Sequence, residues 1–175
     1  MTAQTETATP TYTAERSADF SRISTEGIVA GLIGAVTVAV WFFILDAVQG
    51  RPLYTPTVLG TALFGNASAL DAPQHLPASF ETALMFTWVH VLAFAVLGGI
   101  AAYLLTLAER DPNYGFGILL FFVVFMFGFL VVAMTFAESV LHALAWPAIL
   151  VGNLLAAAAM AIYFRRHHPN LIIRP

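Results

Sequence analysis

Four stretches of the chain are apolar over a length that stands out before anything else is read. They cover about 27–46, 82–107, 114–138 and 147–165. A helix rises about 1.5 Å per residue, so roughly 17–25 apolar residues cross the hydrocarbon layer of a bilayer. All four stretches qualify. None alternates as an outer-membrane strand would, and lipid tolerates only helices or closed barrels. The pattern predicts an all-α membrane protein, a four-helix transmembrane bundle.

The segments between the spans sort by their turn residues. Residues 1–24 are polar, rich in Thr and Ala, and have too little apolar content to pack, so they are expected to be a disordered cytoplasmic tail. Acids lie among their charges and no short basic stretch directly precedes an apolar core, so the first run is expected to remain as a helix, not to be cleaved as a signal. Ser24 or Thr25 is placed to cap a helix starting at Glu26, which opens a membrane domain over 25–166. The loop 47–81 is long, and within it 56–64 reads as a short helix. Thr55 is the expected N-cap, Pro56 the first helical residue and Gly65 the stop. At that length it lies on the membrane surface or caps the bundle. Pro73 and Pro77 make the rest of the loop irregular, and 167–175 is expected to be a second cytoplasmic tail.

Composition agrees with lipid as the main solvent. Of 175 residues, 59% are hydrophobic and 10% charged, against about 25% charged in a soluble domain. The formal net charge of −3 gives no case for nucleic acid. Every basic residue is Arg, and their positions set an orientation. Arg16, Arg22, Arg110, Arg165, Arg166 and Arg174 fall on one side of a four-span arrangement, leaving Arg51 on the other. Positive charge stays inside, so both termini are expected in the cytoplasm, with the chain in a bacterial inner membrane. With Cys 0 there is no disulfide, Cys-ligated zinc, iron–sulfur cluster or thiol catalysis.

Helices in lipid associate through close backbone approach, so small residues mark interfaces. Gly27, Gly31, Ala35 and Ala39 recur every fourth residue in the first span. Gly98 and Gly99 serve the second, and Ala148, Gly152 and Ala156 the fourth. These faces suit a tight intramolecular bundle or a partner helix. Phe residues ring the third span from Phe116 to Phe136, suited to lipid and core contact or to a flat apolar molecule such as a quinone, carotenoid or chlorin. Trp41 and Trp146 read as interface anchors, and Trp88, which lies deeper, as packing.

The polar residues near the membrane gather towards its outer half. Asp46, Glu81, Glu138 and His142 lie at or near span ends on that side. His90 stands nine residues beyond Glu81, about 13 Å deeper. An ionisable residue inside a span marks a functional hypothesis. One reading is a neutral His tied to a backbone carbonyl or to Asn153 of the fourth span. Another is a haem or metal ligand, and a third a proton relay or a headgroup site, with Thr87 on the same face. Glu138 and His142 at i, i+4 make half a metal or proton site, or a solvated turn. His167 and His168 follow Arg165 and Arg166, where they suit the negative end of a helix and anionic headgroups, with no metal site expected.

Nucleotide-binding, zincin and nucleophile-elbow motifs are absent, and no cofactor is required by the sequence. The run from Gly27 to Leu63, with Trp41-Phe42-Phe43, Asp46, Gly50-Arg51-Pro52-Leu53-Tyr54-Thr55-Pro56 and Leu59-Gly60, is similar to a group of small bacterial four-transmembrane-helix proteins. Val89-His90, Ala93-Phe94-Ala95, Gly152-Asn153-Leu154-Leu155-Ala156-Ala157 and Arg165-Arg166-His167-His168-Pro169 continue the resemblance over nearly all of the chain except the tail. It implies a fold and a topology and carries no assigned activity. The expectation for function is a non-catalytic accessory subunit of a larger membrane complex, of electron-transfer or photosynthetic type. The alternative is a small carrier for an apolar or proton-linked ligand using His90 and Asn153, and the third a haem- or metal-binding redox protein.

Overall fold

The computed structural model describes residues 10–65, 72, 75–111, 115, 116, 120, 123 and 146–168. Regular structure among them is helical. The four helices are α1 (Pro10–Val48), α2 (Tyr54–Phe64), α3 (Phe80–Arg110) and α4 (Trp146–His167). Three carry segments long and apolar enough to cross a membrane. These are Phe20–Val48, Phe80–Glu109 and Pro147–His167, with mean hydropathies of 2.6, 2.3 and 1.8. Most of the expected third span, 114–138, lies outside the described residues. Gly115, Phe116, Leu120 and Val123 within it are helical.

The helix α1 is longer than its apolar run. It reaches back to Pro10, so the segment expected to be a disordered tail is helical from there on. Proline suits a first helical turn, and neither Gly nor Pro interrupts the chain before Gly27. Thr25, expected as a cap, instead donates its hydroxyl to the Ser21 carbonyl at 2.8 Å, the back-bond of a Thr inside a helix.

Small residues let the helices close on one another. A Cβ at Gly27 would lie 2.5 Å from the Gly99 Cα, and one at Gly31 or Gly98 would collide with the backbone of the facing helix. The close seam of α1 and α3 therefore runs through Gly27, Gly31 and Gly98, with Ala35 buried farther along α1. The Gly99 backbone is what Gly27 meets, but a Cβ on Gly99 would point away from the seam and meet nothing within 4 Å. Against α4, a Cβ on Gly152 would lie 2.9 Å from Trp41, and one on Gly34 2.7 Å from the Met160 sulfur. Ala30, Ala101, Ala102, Met160 and Phe164 form the core between the three helices, and Ala156 of α4 is buried as well. Large apolar side chains, among them Leu32, Val36, Val40, Phe43 and Leu92, face outward. Trp88 is 72% exposed, not packed inside.

These contacts fix directions. Gly27, Gly31 and Ala35 meet Gly98, Phe94 and His90 in falling order, so α3 runs antiparallel to α1. Trp41, Gly34 and Glu26 meet Ala148, Met160 and His168, so α4 is also antiparallel to α1. Helices α3 and α4 are thus parallel to each other.

At one end α1 turns into α2. Gly50, at φ 69°, closes α1 with paired bonds from Gly50 N to Ala47 O and from Arg51 N to Asp46 O, a Schellman ending. Pro52 follows, and Leu53 sits in the left-handed region at φ 68° as the residue before α2. The helix begins two residues earlier than the expected 56–64, because its cap comes from elsewhere. Asp46 reaches across the turn to accept both the Thr55 N–H (2.8 Å) and the Thr55 hydroxyl (2.7 Å). Pro56 lies in the first turn, where a missing N–H does no harm, and Gly65 follows the last residue as expected. Thr57 is buried and ties α2 to Ser79, which in turn accepts from the Thr82 N–H at the start of α3. Val58, fully buried, packs against Leu76 and against Ile149 of α4. So α2 closes one end of the bundle.

Candidate functional site

His90 lies where α3 crosses α1. Its Nε2 is 3.2 Å from the carbonyl oxygen of Ala35, so in the Nε2–H form the ring donates across the helix interface. The rings of Phe86 and Phe94 flank it with centroids at 5.6 and 4.8 Å. The site is therefore a single polar contact in an aromatic sleeve.

Its two expected companions stand apart from it. The Thr87 hydroxyl donates to the Ala83 carbonyl of its own helix at 2.7 Å and not to His90. Asn153 is half-buried on α4. The register places Gly152 against Trp41 while His90 meets Ala35, which puts Asn153 about 9 Å along α1 from the His90 level. Among the described residues nothing bridges the two.

The residues expected as an outer-face cluster do not converge either. Asp46 is buried and both carboxylate oxygens serve Thr55. Glu81 is exposed and lines a crevice of about 270 Å³ between α2 and α3, with Gly60, Thr61, Phe64, Thr82 and Met85. Its position in the first turn of α3 suits the positive end of the helix. Glu138 and His142 lie outside the described residues. No group of three His, Cys, Asp or Glu that could hold a metal occurs among the described residues.

A different cluster forms at the opposite end. His168 follows the last residue of α4, with Nδ1 2.7 Å from Glu109 Oε1 and Nε2 2.6 Å from Glu26 Oε1. One imidazole thus ties the ends of α3 and α4 to the middle of α1, where Glu26 opens its apolar run. The neighbouring His167 turns away and uses its Nδ1 on the Tyr163 carbonyl at 2.9 Å. The sequence reading treated His168 as a headgroup contact and gave Glu26 only a helix-start role. The available signal was positional: Glu26, Glu109 and His168 each flank a span on the same side.

The chain matches no protein-family model, no curated protein and no solved structure.

Proposed function

We propose that the chain is a non-catalytic integral membrane protein that packs against a larger membrane assembly as an accessory subunit. The observation that carries this reading is what the polar groups do. His90, Trp41, Asp46, Glu26, Glu109 and His168 all bind another part of the same chain. Their work is to hold helices together, and the outward faces are large and apolar.

The topology we propose has four spans, with both termini on the cytoplasmic side of a bacterial inner membrane. Its support is the direction of the helices. From the level of Glu26 to that of Trp41 is about 22 Å along α1. The helix α3 ends near the first level and α4 begins near the second, since Glu109 meets His168 and Ala148 meets Trp41. Residues 111–145 must carry the chain back over that length. Arg distribution then sets which face is inside.

The deciding experiment is gel filtration of native membranes solubilised in digitonin, with visible absorbance followed across the profile. Elution far above the chain's own mass, together with other subunits, is the expected result. A small, colourless species would refute the subunit reading. A small coloured one would do so in favour of a bound chromophore, with His90 the first ligand to test.

A further inference from the structure

The Glu26–His168–Glu109 contact has a proton requirement built into it. A carboxylate oxygen only accepts hydrogen bonds, and a neutral imidazole has one N–H and one acceptor nitrogen. Here each ring nitrogen faces a carboxylate oxygen, at 2.6 and 2.7 Å. A neutral ring between two carboxylates would satisfy one contact and set a lone pair against an oxygen in the other. Both contacts hold only when the group carries one more proton, on the ring or on a carboxyl. Burial sharpens this requirement, for His168 is 13% exposed and Glu26 12%, with Glu109 at 33%. Water reaches the Glu109 contact more readily than the Glu26 one.

We infer that Glu26, His168 and Glu109 form a proton-operated latch, which holds the end of α4 to α1 and α3 when protonated and releases it when that proton leaves. Glu26 faces the ring from α1 and Glu109 from α3. On its own element the Phe164 ring centroid is 6.5 Å from that of His168, and Tyr163 packs against the same core cluster as Phe164. Arg165, Arg166 and His167 precede it, Arg22 lies one turn before Glu26, and Asp111 closes α3.

Release has a path into the core. Phe164, one turn before His168, is 7% exposed and belongs to the cluster of Ala30, Ala101, Ala102 and Met160. Freeing His168 loosens that turn first. The sign follows from the donor count: the closed arrangement needs one proton more than a neutral imidazole between two carboxylates carries, so closure is favoured on the acid side and lost as pH rises. The latch rests on these three side chains and not on the subunit reading.

The test uses the full chain in detergent, with thermal unfolding followed across about pH 5 to 8, the window in which imidazole changes charge. Wild type is expected to lose several degrees of melting temperature as pH rises. His168→Gln, which hydrogen-bonds but does not titrate, should be less stable and flat with pH. Glu109→Gln, which leaves the Glu26 contact, should retain part of the slope. Nitrogen NMR of wild type labelled at histidine should show one imidazole with both nitrogens hydrogen-bonded on the acid side and released on the basic side, a readout that stands even if a variant fails to fold. A wild-type slope unchanged by His168→Gln, or no imidazole with that behaviour, overturns the latch.

Discussion

The two ends of the bundle are closed by carboxylates in opposite ways. At the α2 end, Asp46 acts across nine residues of sequence and binds the backbone and hydroxyl of Thr55. At the other end, Glu26 and Glu109 reach a histidine 142 and 59 residues away. The first closure is local. Its partners are brought together by the Gly50 ending of α1 and the turn through Pro52 and Leu53. It needs no proton beyond those of an N–H and a hydroxyl. The second joins three helices, and it works through an imidazole that must donate from both nitrogens to satisfy two carboxylates. One end is a fixed corner and the other a conditional clasp.

The largest expected effect removes the comparison by separating the two ends. A Cβ at Gly98 would collide with the Gly27 carbonyl and the Gly31 backbone. Backbone cannot swing aside as a flexible side chain can, so α1 and α3 must move apart. Overpacking of this kind costs roughly 1–3 kcal/mol, and Gly98→Ala should fall at the upper end. Thermal unfolding in detergent should show it, together with loss of the pH slope, since Glu109 would no longer sit beside His168. Gly99→Ala is the control: its Cβ meets nothing, and it should leave stability unchanged.

Breaking the corner alone should cost less. Asp46→Ala leaves a buried N–H and hydroxyl of Thr55 without an acceptor, a loss of about 1–3 kcal/mol. Asp46→Asn keeps one acceptor oxygen and should recover part of it. Proteolysis between α1 and α2 reads the effect directly, because the Leu53 turn is already in a left-handed conformation that a non-glycine residue disfavours. The pH slope of the clasp should persist in both variants. A loss of that slope on Asp46→Ala would mean that the ends are coupled through α1.

The difference between the ends also explains what could be read from the sequence. The three long helices α1, α3 and α4 are legible because apolar runs of spanning length leave few alternatives. The stop and restart around Gly50, Pro52 and Gly65 were legible because turn residues act locally. The cap was misplaced on Thr55 because an Asp eight residues before α2 counts only once the intervening turn is known to fold back. Polarity alone points to disorder before Glu26, yet residues 10–25 contain nothing that breaks a helix after Pro10. The clasp was missed for a related reason. Side chains of Glu26, Glu109 and His168 look like ordinary span-end charges until α3 and α4 are both laid antiparallel to α1. His90 was visible as a polar residue in an apolar run, but a backbone carbonyl as its partner has no sequence signature.

His90 lies between the two ends and gives the smallest expected effect. Among the described residues its interhelical hydrogen bond is with the Ala35 carbonyl, which also belongs to the hydrogen-bond ladder of α1. Polar contacts between membrane helices contribute about 0.6 kcal/mol on average, because the separated helices find other partners. His90→Ala also removes ring contacts with Phe86 and Phe94, and these residues can close partly on the space. A stability loss of about 1 kcal/mol, with the corner and the pH slope both intact, is the expected outcome in the same thermal assay. A loss several-fold larger would show that the two ends depend on this crossing. An intact fold with failed assembly in the gel-filtration profile would move His90 from helix packing to the work of the complex.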